Sequence, residues 1–217
     1  MCEPFIHNHQ YNLVKNQADL LLQAYRTASD SKVLESVKYS VETKILELFP
    51  DATAAQKQML GAVSVLRAAE EFQAYLKALQ EYLLPFPAIT AKQIQKLFPK
   101  NKKLKLPDLA GLDYRFMTYL SWVDISTNKL FIVVPMNGQF VGVEGRYTLT
   151  HKKSYCFVCN QFEELALFTA VSRKRPANTS PDYYKAVGNY LCMDGHECNK
   201  NITDTASLEQ FVSSVIG

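Results

Sequence analysis

The sequence predicts a two-domain protein: an N-terminal all-α helical bundle over residues 1–85 and a C-terminal α+β domain over residues 108–217, joined by a basic, proline-bounded connector at 86–107. Three observations predict it. Apolar residues in the first half recur every three or four positions, the period of a helix face. After residue 107 the pattern becomes aromatic and β-branched runs punctuated by an Asn-Gly pair. Between the two stands Pro85-Phe86-Pro87, where neither proline can donate a backbone N–H to continue a helix. With 217 residues, 47% hydrophobic and 21% charged, the chain has enough apolar material for two cores and is not disordered by composition.

In chain order, Leu13, Val14, Leu21, Leu22 and Tyr25 line one face of a first helix, with Asn8 expected as its cap. Leu34, Val37, Val41, Ile45 and Leu48 form the stripe of a second, with Asp30 and Ser31 just before it as caps. Pro50 breaks the chain, and Asp51 or Thr53 caps the next helix. Met59, Leu60, Val63 and Leu66 begin its buried face, which Phe72, Tyr75, Leu76, Leu79 and Leu83 either continue or repeat as a separate fourth helix. Short loops between such helices imply antiparallel neighbours. A short helix is expected over 90–98. Pro99 to Pro107 then carries Lys100, Lys102, Lys103 and Lys105. Strands are expected at Phe116–Val123, at Leu130–Val134 (a continuous apolar run, as in a strand buried on both faces) and from Phe140 after the Asn137-Gly138 turn. Further strands are expected at Leu165–Val171 and Tyr183–Leu191, with a polar loop at 172–182 between them. Ser207 is the expected cap of a last helix whose apolar side holds Leu208, Phe211, Val212, Val215 and Ile216.

No apolar run approaches the ~20 residues of a membrane span, and Met1-Cys2-Glu3-Pro4 lacks the layout of a signal peptide. A soluble cytoplasmic protein with no membrane partner is expected. Residues 1–85 hold 8 basic against 10 acidic side chains, and residues 86–217 hold 16 against 11. The C-terminal half is therefore the expected face for an acidic partner, whether nucleic acid or protein.

The cysteines carry the chemistry. Cys2 stands alone, whereas the other four form Cys156-x-x-Cys159 and Cys192-x5-Cys198, with 32 residues between the pairs. A two-residue gap lets two thiolates face one metal from a tight turn, Gly195 is expected to allow a sharp bend in the second pair, and a hairpin can bring the pairs together. Four thiolates make a closed tetrahedral shell suited to one structural zinc, with no open position for hydrolytic water. The alternative set replaces one cysteine by His196; four cysteines are present and thiolate is the commoner structural ligand, so Cys198 is preferred and His196 is placed on an exposed turn.

An enzyme is not expected. There is no phosphate-binding loop, no G-x-G-x-x-G and no G-x-S-x-G elbow. His7-Asn8-His9 matches a nuclease motif only by its letters, and its histidines read as surface residues. Glu70-Glu71 reads as a solvated helix face and Glu163-Glu164 as a turn. A second basic spot, Arg173-Lys174-Arg175, is placed in a loop on the cysteine side. With Tyr183, Tyr184 and Tyr190 it suggests a base-stacking surface, or else those rings pack the hairpin.

Beyond these readings, the sequence resembles the FusB/FusC-type elongation factor G-binding proteins over essentially its whole length. The resemblance is carried by His9-Gln10-Tyr11-Asn12, Tyr82-Leu83-Leu84-Pro85-Phe86, the stretch Lys102–Pro107, Cys156-Phe157-Val158-Cys159-Asn160, Tyr190-Leu191-Cys192-Met193-Asp194, Cys198-Asn199-Lys200 and Thr203-Asp204, in that order. It implies a helical bundle followed by an α/β domain with a treble-clef-like zinc finger whose ligands are Cys156, Cys159, Cys192 and Cys198. The family has a histidine directly before the last cysteine; here Glu197 stands there and His196 is shifted by one. It also implies a monomer that binds elongation factor G, on or off the ribosome, and promotes its release from ribosomes stalled by fusidic acid. Tyr155, Tyr190 and Phe211 would be contacts. The family's lysine before the tyrosine aligns with Val187, and Lys185 is the candidate in its place. The alternative function is a zinc-containing RNA- or ribosome-binding protein.

Overall fold

A computed structural model describes residues 3–174, 180 and 184–217. Cys2, Arg175 and Tyr183, each singled out above, and most of the loop expected at 172–182 lie outside the described residues. The chain folds as two units, one ending at Leu84 and the other beginning at Pro85.

The first unit is helical. Helix α1 spans Asn8–Thr27, α2 Ser31–Glu47, α3 Ala54–Gly61 and α4 Ala69–Leu79. Val14 and Leu21 of α1, Val41 and Ile45 of α2, Leu60 of α3, and Phe72, Tyr75 and Leu79 of α4 are buried, which is the stripe the spacing predicts. Asp30 caps α2 by accepting the Lys32 N–H at 2.8 Å, and Thr53 caps α3 through the Gln56 N–H. Asn8 is not the cap of α1. It is the first helical residue and is buried, while His7 holds the cap position and donates its backbone N–H to the Gln10 side chain at 2.9 Å. After α3 the chain tightens into a short 3-10 turn at Ala62–Val65, so α4 is a separate helix. Glu71 is more than a solvated acid: its carboxylate accepts the N–H groups of Arg67 and Ala68 at 2.7 and 3.0 Å, which caps α4 and holds the carboxyl below its ordinary range. A backbone bridge between Ile6 and Leu83 ties the two ends of the unit together.

The second unit is built on a five-stranded antiparallel sheet in meander order: β1 Leu120–Asp124, β2 Lys129–Met136, β3 Gln139–Tyr155, β4 Phe162–Val171 and β5 Ala186–Leu191. Asn137 and Gly138, both at positive φ (51° and 74°), form the tight turn between β2 and β3, as the Asn-Gly pair predicts. Side chains of β2 alternate between two cores. Leu130, Ile132 and Val134 join Val143, Leu165, Phe168 and the last helix, at Ala206–Ile216, whereas Phe131 and Val133 join Phe86, Ile89, Ile94 and Phe98. The unbroken apolar run is thus a strand buried on both faces.

Residues 86–107 are therefore not a free connector. Helix α5, Ala91–Leu97, carries Ile94 into the second core, Leu104 and Leu106 pack against that core, and the Trp122 indole donates to the Lys105 carbonyl at 2.9 Å. The physical reason lies in β2: its second apolar face must be covered, and this segment covers it while its lysines stay outside. Two smaller expectations are also corrected. Glu163 and Glu164 lie within β4, in register with Ser154 and Lys153, and not in a turn. Helix α7, Ala206–Ile216, begins after Thr205, with Asp204 accepting the Ala206 N–H; Ser207 sits inside its first turn.

Candidate metal centre

The centre is assembled from the end of β3, a tight knuckle, the β4–β5 hairpin and a short helix. Strand β3 ends at Tyr155, and Cys156–Cys159 follow immediately. The knuckle is closed by backbone bonds, Asn160 N–H to the Cys156 carbonyl (2.9 Å) and Cys156 N–H to the Gln161 carbonyl (3.0 Å). Asn160 adopts φ 55°, a left-handed conformation that asparagine tolerates better than most residues. The Phe157 N–H bonds to the Tyr190 carbonyl at 2.9 Å, which fixes the knuckle to β5. Cys192 follows the last residue of β5. Asp194 then caps α6, Gly195–Asn199, by accepting the N–H groups of His196 and Glu197, and Cys198 lies on that helix.

These elements bring all four sequence-identified cysteines together. Their Sγ atoms lie within 4.8 Å of one another, with Cys156–Cys198 at 3.9 Å and Cys159–Cys192 at 3.6 Å. A tetrahedral ion with metal–sulfur bonds of about 2.3 Å needs sulfur–sulfur edges of about 3.8 Å, so the donor set fits zinc. Four sulfur donors leave no place for a fifth group, as a structural site requires. His196 is outside the set and exposed on α6.

The electrostatics favour a cation. Hydrogen bonds from the other three thiols, Cys159 first, hold Cys156 far below its ordinary range. Cys192 and Cys198 are pushed well up, first by their hydrogen bonds to Cys156 and further by burial and its charge. Four buried sulfurs this close cannot all ionise unaided; a dication removes the repulsion and displaces the remaining protons.

Asn199 is a residue that sequence reasoning missed. It is buried, and its side chain accepts the N–H groups of Thr118 and Tyr119 (2.7 and 3.2 Å) and donates to the carbonyls of Tyr119 and Gly195 (2.9 and 2.7 Å). It clamps α6 onto the start of β1. Gly195 serves the same docking and not a bend: its φ is not positive, and a Cβ there would meet Ser121 Oγ at 2.0 Å.

Beside the knuckle lies an exposed aromatic surface. Tyr155 is 62% exposed and Phe162, its partner across the β3–β4 ladder, is 53% exposed, with ring centroids 5.1 Å apart. Tyr190 is 45% exposed, and Lys185 and Tyr184 are exposed too, so the described tyrosines do not pack the hairpin. Phe162 was legible as an exposed ring only once its strand was known to begin at the knuckle. Phe211 differs from the expectation. It is 4% exposed, with its ring against Phe157 and Phe168 at 5.2 and 5.7 Å, because α7 turns its apolar side onto the sheet. Arg173 and Lys174 are not on the cysteine side either. They follow the last residue of β4, about 30 Å along the strand from Phe162.

The knuckle, hairpin and helix have counterparts in known proteins. The family model for the FBP C-terminal treble-clef zinc-finger matches residues 95–214, and that for the elongation factor G-binding protein N-terminal domain matches residues 5–87. The chain belongs to the elongation factor G-binding protein family. Within that family's treble-clef finger, Cys156, Cys159, Cys192 and Cys198 are the clustered thiols that hold one structural zinc. The solved structure of the fusidic acid resistance protein FusC matches with a TM-score of 0.80 and 25% identity, over 97% of each chain. Among curated proteins none matches the sequence. No helix among the described residues is long and apolar enough to cross a membrane.

Proposed function

We propose that this protein binds elongation factor G and promotes its release from ribosomes stalled by fusidic acid, as a cytoplasmic monomer that carries out no covalent chemistry. The observation that carries the proposal is the exposed ring pair of Tyr155 and Phe162 beside the cysteine knuckle, with Tyr190 exposed separately on β5, in a chain of the elongation factor G-binding family with a fusidic acid resistance protein as a structural neighbour. Rigid aromatic side chains serve as interface anchors because they bury much area at small entropic cost. Lys185, exposed just before β5, adds a charge to the same hairpin. Phe211 contributes from beneath by supporting Phe157. A binder of this kind releases the factor by binding its departing conformation more tightly than its stalled one.

The test is comigration of the purified protein with elongation factor G on a sizing column, followed by addition to ribosomes stalled with the factor and fusidic acid. Comigration and factor release are expected; separate elution at micromolar concentrations refutes the reading. One observation favours a second reading, an RNA- or ribosome-binding zinc protein: residues 92–105 hold six lysines and no acid. Its mark would be affinity for RNA alone that falls steeply with salt.

A further inference from the structure

Tyr119, the residue before β1, is fully buried, and its hydroxyl has no hydrogen-bond partner. A hydroxyl left so forfeits its hydration with nothing in return, so a buried one is expected to have a partner. What surrounds it is the cysteine cluster. Burial pushes the phenol well up, and interactions with Cys198, followed by the charges of Cys156 and Cys192, push it further. The group is thus a buried O–H without a partner, packed in the same cluster as Cys156, Cys159 and Cys198. Its backbone is fixed there by the residue that follows Cys198 in sequence, since Asn199 bonds both the N–H and the carbonyl of Tyr119.

We propose that Tyr119 is a positioning residue of the metal centre, its hydroxyl donating to the Cys198 sulfur when zinc is bound. A zinc-bound thiolate keeps excess negative charge, and a buried donor stabilises that charge, orients the sulfur lone pair and makes the sulfur harder to protonate. Outer partners of this kind are worth about 10- to 100-fold in metal affinity. The Asn199 clamp and the Tyr119 hydroxyl then act as one device, which ties the last ligand to β1 rather than to the knuckle and hairpin that carry the other three. The inference rests on the four-cysteine centre.

The test compares the full-length protein with Tyr119→Phe, which keeps the ring and removes only the oxygen. Zinc release to a chromophoric chelator is expected to speed up about tenfold. In the cobalt-substituted protein the thiolate-to-metal charge-transfer band is expected to shift to lower energy, because a sulfur without its donor is more easily oxidised. A purely packing role would not move that band. An unchanged band and release rate in folded Tyr119→Phe overturns the proposal. If Tyr119→Phe does not fold, uniform 3-fluorotyrosine labelling of the wild-type chain strengthens the donor and must move the band to higher energy; no movement overturns the proposal. A wild-type protein that retains no stoichiometric metal would instead sink the centre itself, so the two failures are distinguishable.

Discussion

Phe162→Ala tests the aromatic surface most directly, because that ring lies on the strand leaving the knuckle and contributes no sulfur to the centre. A phenylalanine side chain presents about 200 Å² when free, and at 53% exposure about half of that remains to be covered by a partner. At about 25 cal/mol per Å² the covered ring is worth ~2.5 kcal/mol, an upper figure because ordering costs are charged against it. A loss of about 10- to 70-fold in affinity for elongation factor G is therefore expected, measured by titration calorimetry with zinc content checked on the same sample. Tyr155→Ala should cost a similar amount. The double substitution should cost less than the sum, because the two rings touch and each supports the other. Val171→Ala is the control: it is 57% exposed on the same strand but about 30 Å from Phe162, and its affinity should be unchanged. Wild-type affinity in zinc-loaded Phe162→Ala would refute the argument, as would equal losses in Phe162→Ala and Val171→Ala.

Three further outcomes are expected. Phe211→Ala removes a buried ring packed on Phe157 and Phe168 and should destabilise the C-terminal unit by about 3–5 kcal/mol in urea denaturation; affinity loss without destabilisation would contradict its place in the core. Cys198→Ser, or a strong chelator, should abolish stoichiometric zinc and open residues 156–198 to limited proteolysis; an equally resistant metal-free protein would show that the metal is dispensable. Asp124 is held below its ordinary carboxyl value of 3.8, first by the Ser126 hydroxyl and also by the Thr127 hydroxyl and the Ser126 N–H. A carboxyl depressed by folding supplies stability that is present above that value and lost as pH falls through the lower folded one, so acid should weaken the fold and Asp124→Asn should flatten that dependence, read as urea midpoints against pH.

The parts of this molecule legible in its sequence are those governed by local rules. The α2 stripe, its Asp30 cap, the Asn137-Gly138 turn and the Cys156-x-x-Cys159 knuckle each depend on neighbours a few residues away. The metal set was legible because thiolate spacing is a covalent constraint on how the chain can close. What escaped depends on contacts distant in sequence. Gly195 looked like a bend and is a contact with Ser121, 74 positions earlier. Asn199 and Tyr119 form a clamp across 80 positions and bear no local signature. Phe211 sits on an apolar helix face, and whether such a ring ends in a core or on a surface is decided by what the helix meets. The lysine-rich stretch has the charge density of a connector, but Leu97, Leu104 and Leu106, set between the charges, pack it onto a sheet face that comes later in the chain.

That last segment changes what counts as a portable piece of this protein. A fragment cut at residue 108, where composition alone would place the scissors, leaves Phe131, Val133 and Leu120 facing water on the reverse of the sheet. Such a piece would hold its metal and still clump through that stripped side. One cut at Pro85 carries its own lining, so any transplant or minimal binder taken from this chain has to include the helix and lysines that precede the first strand.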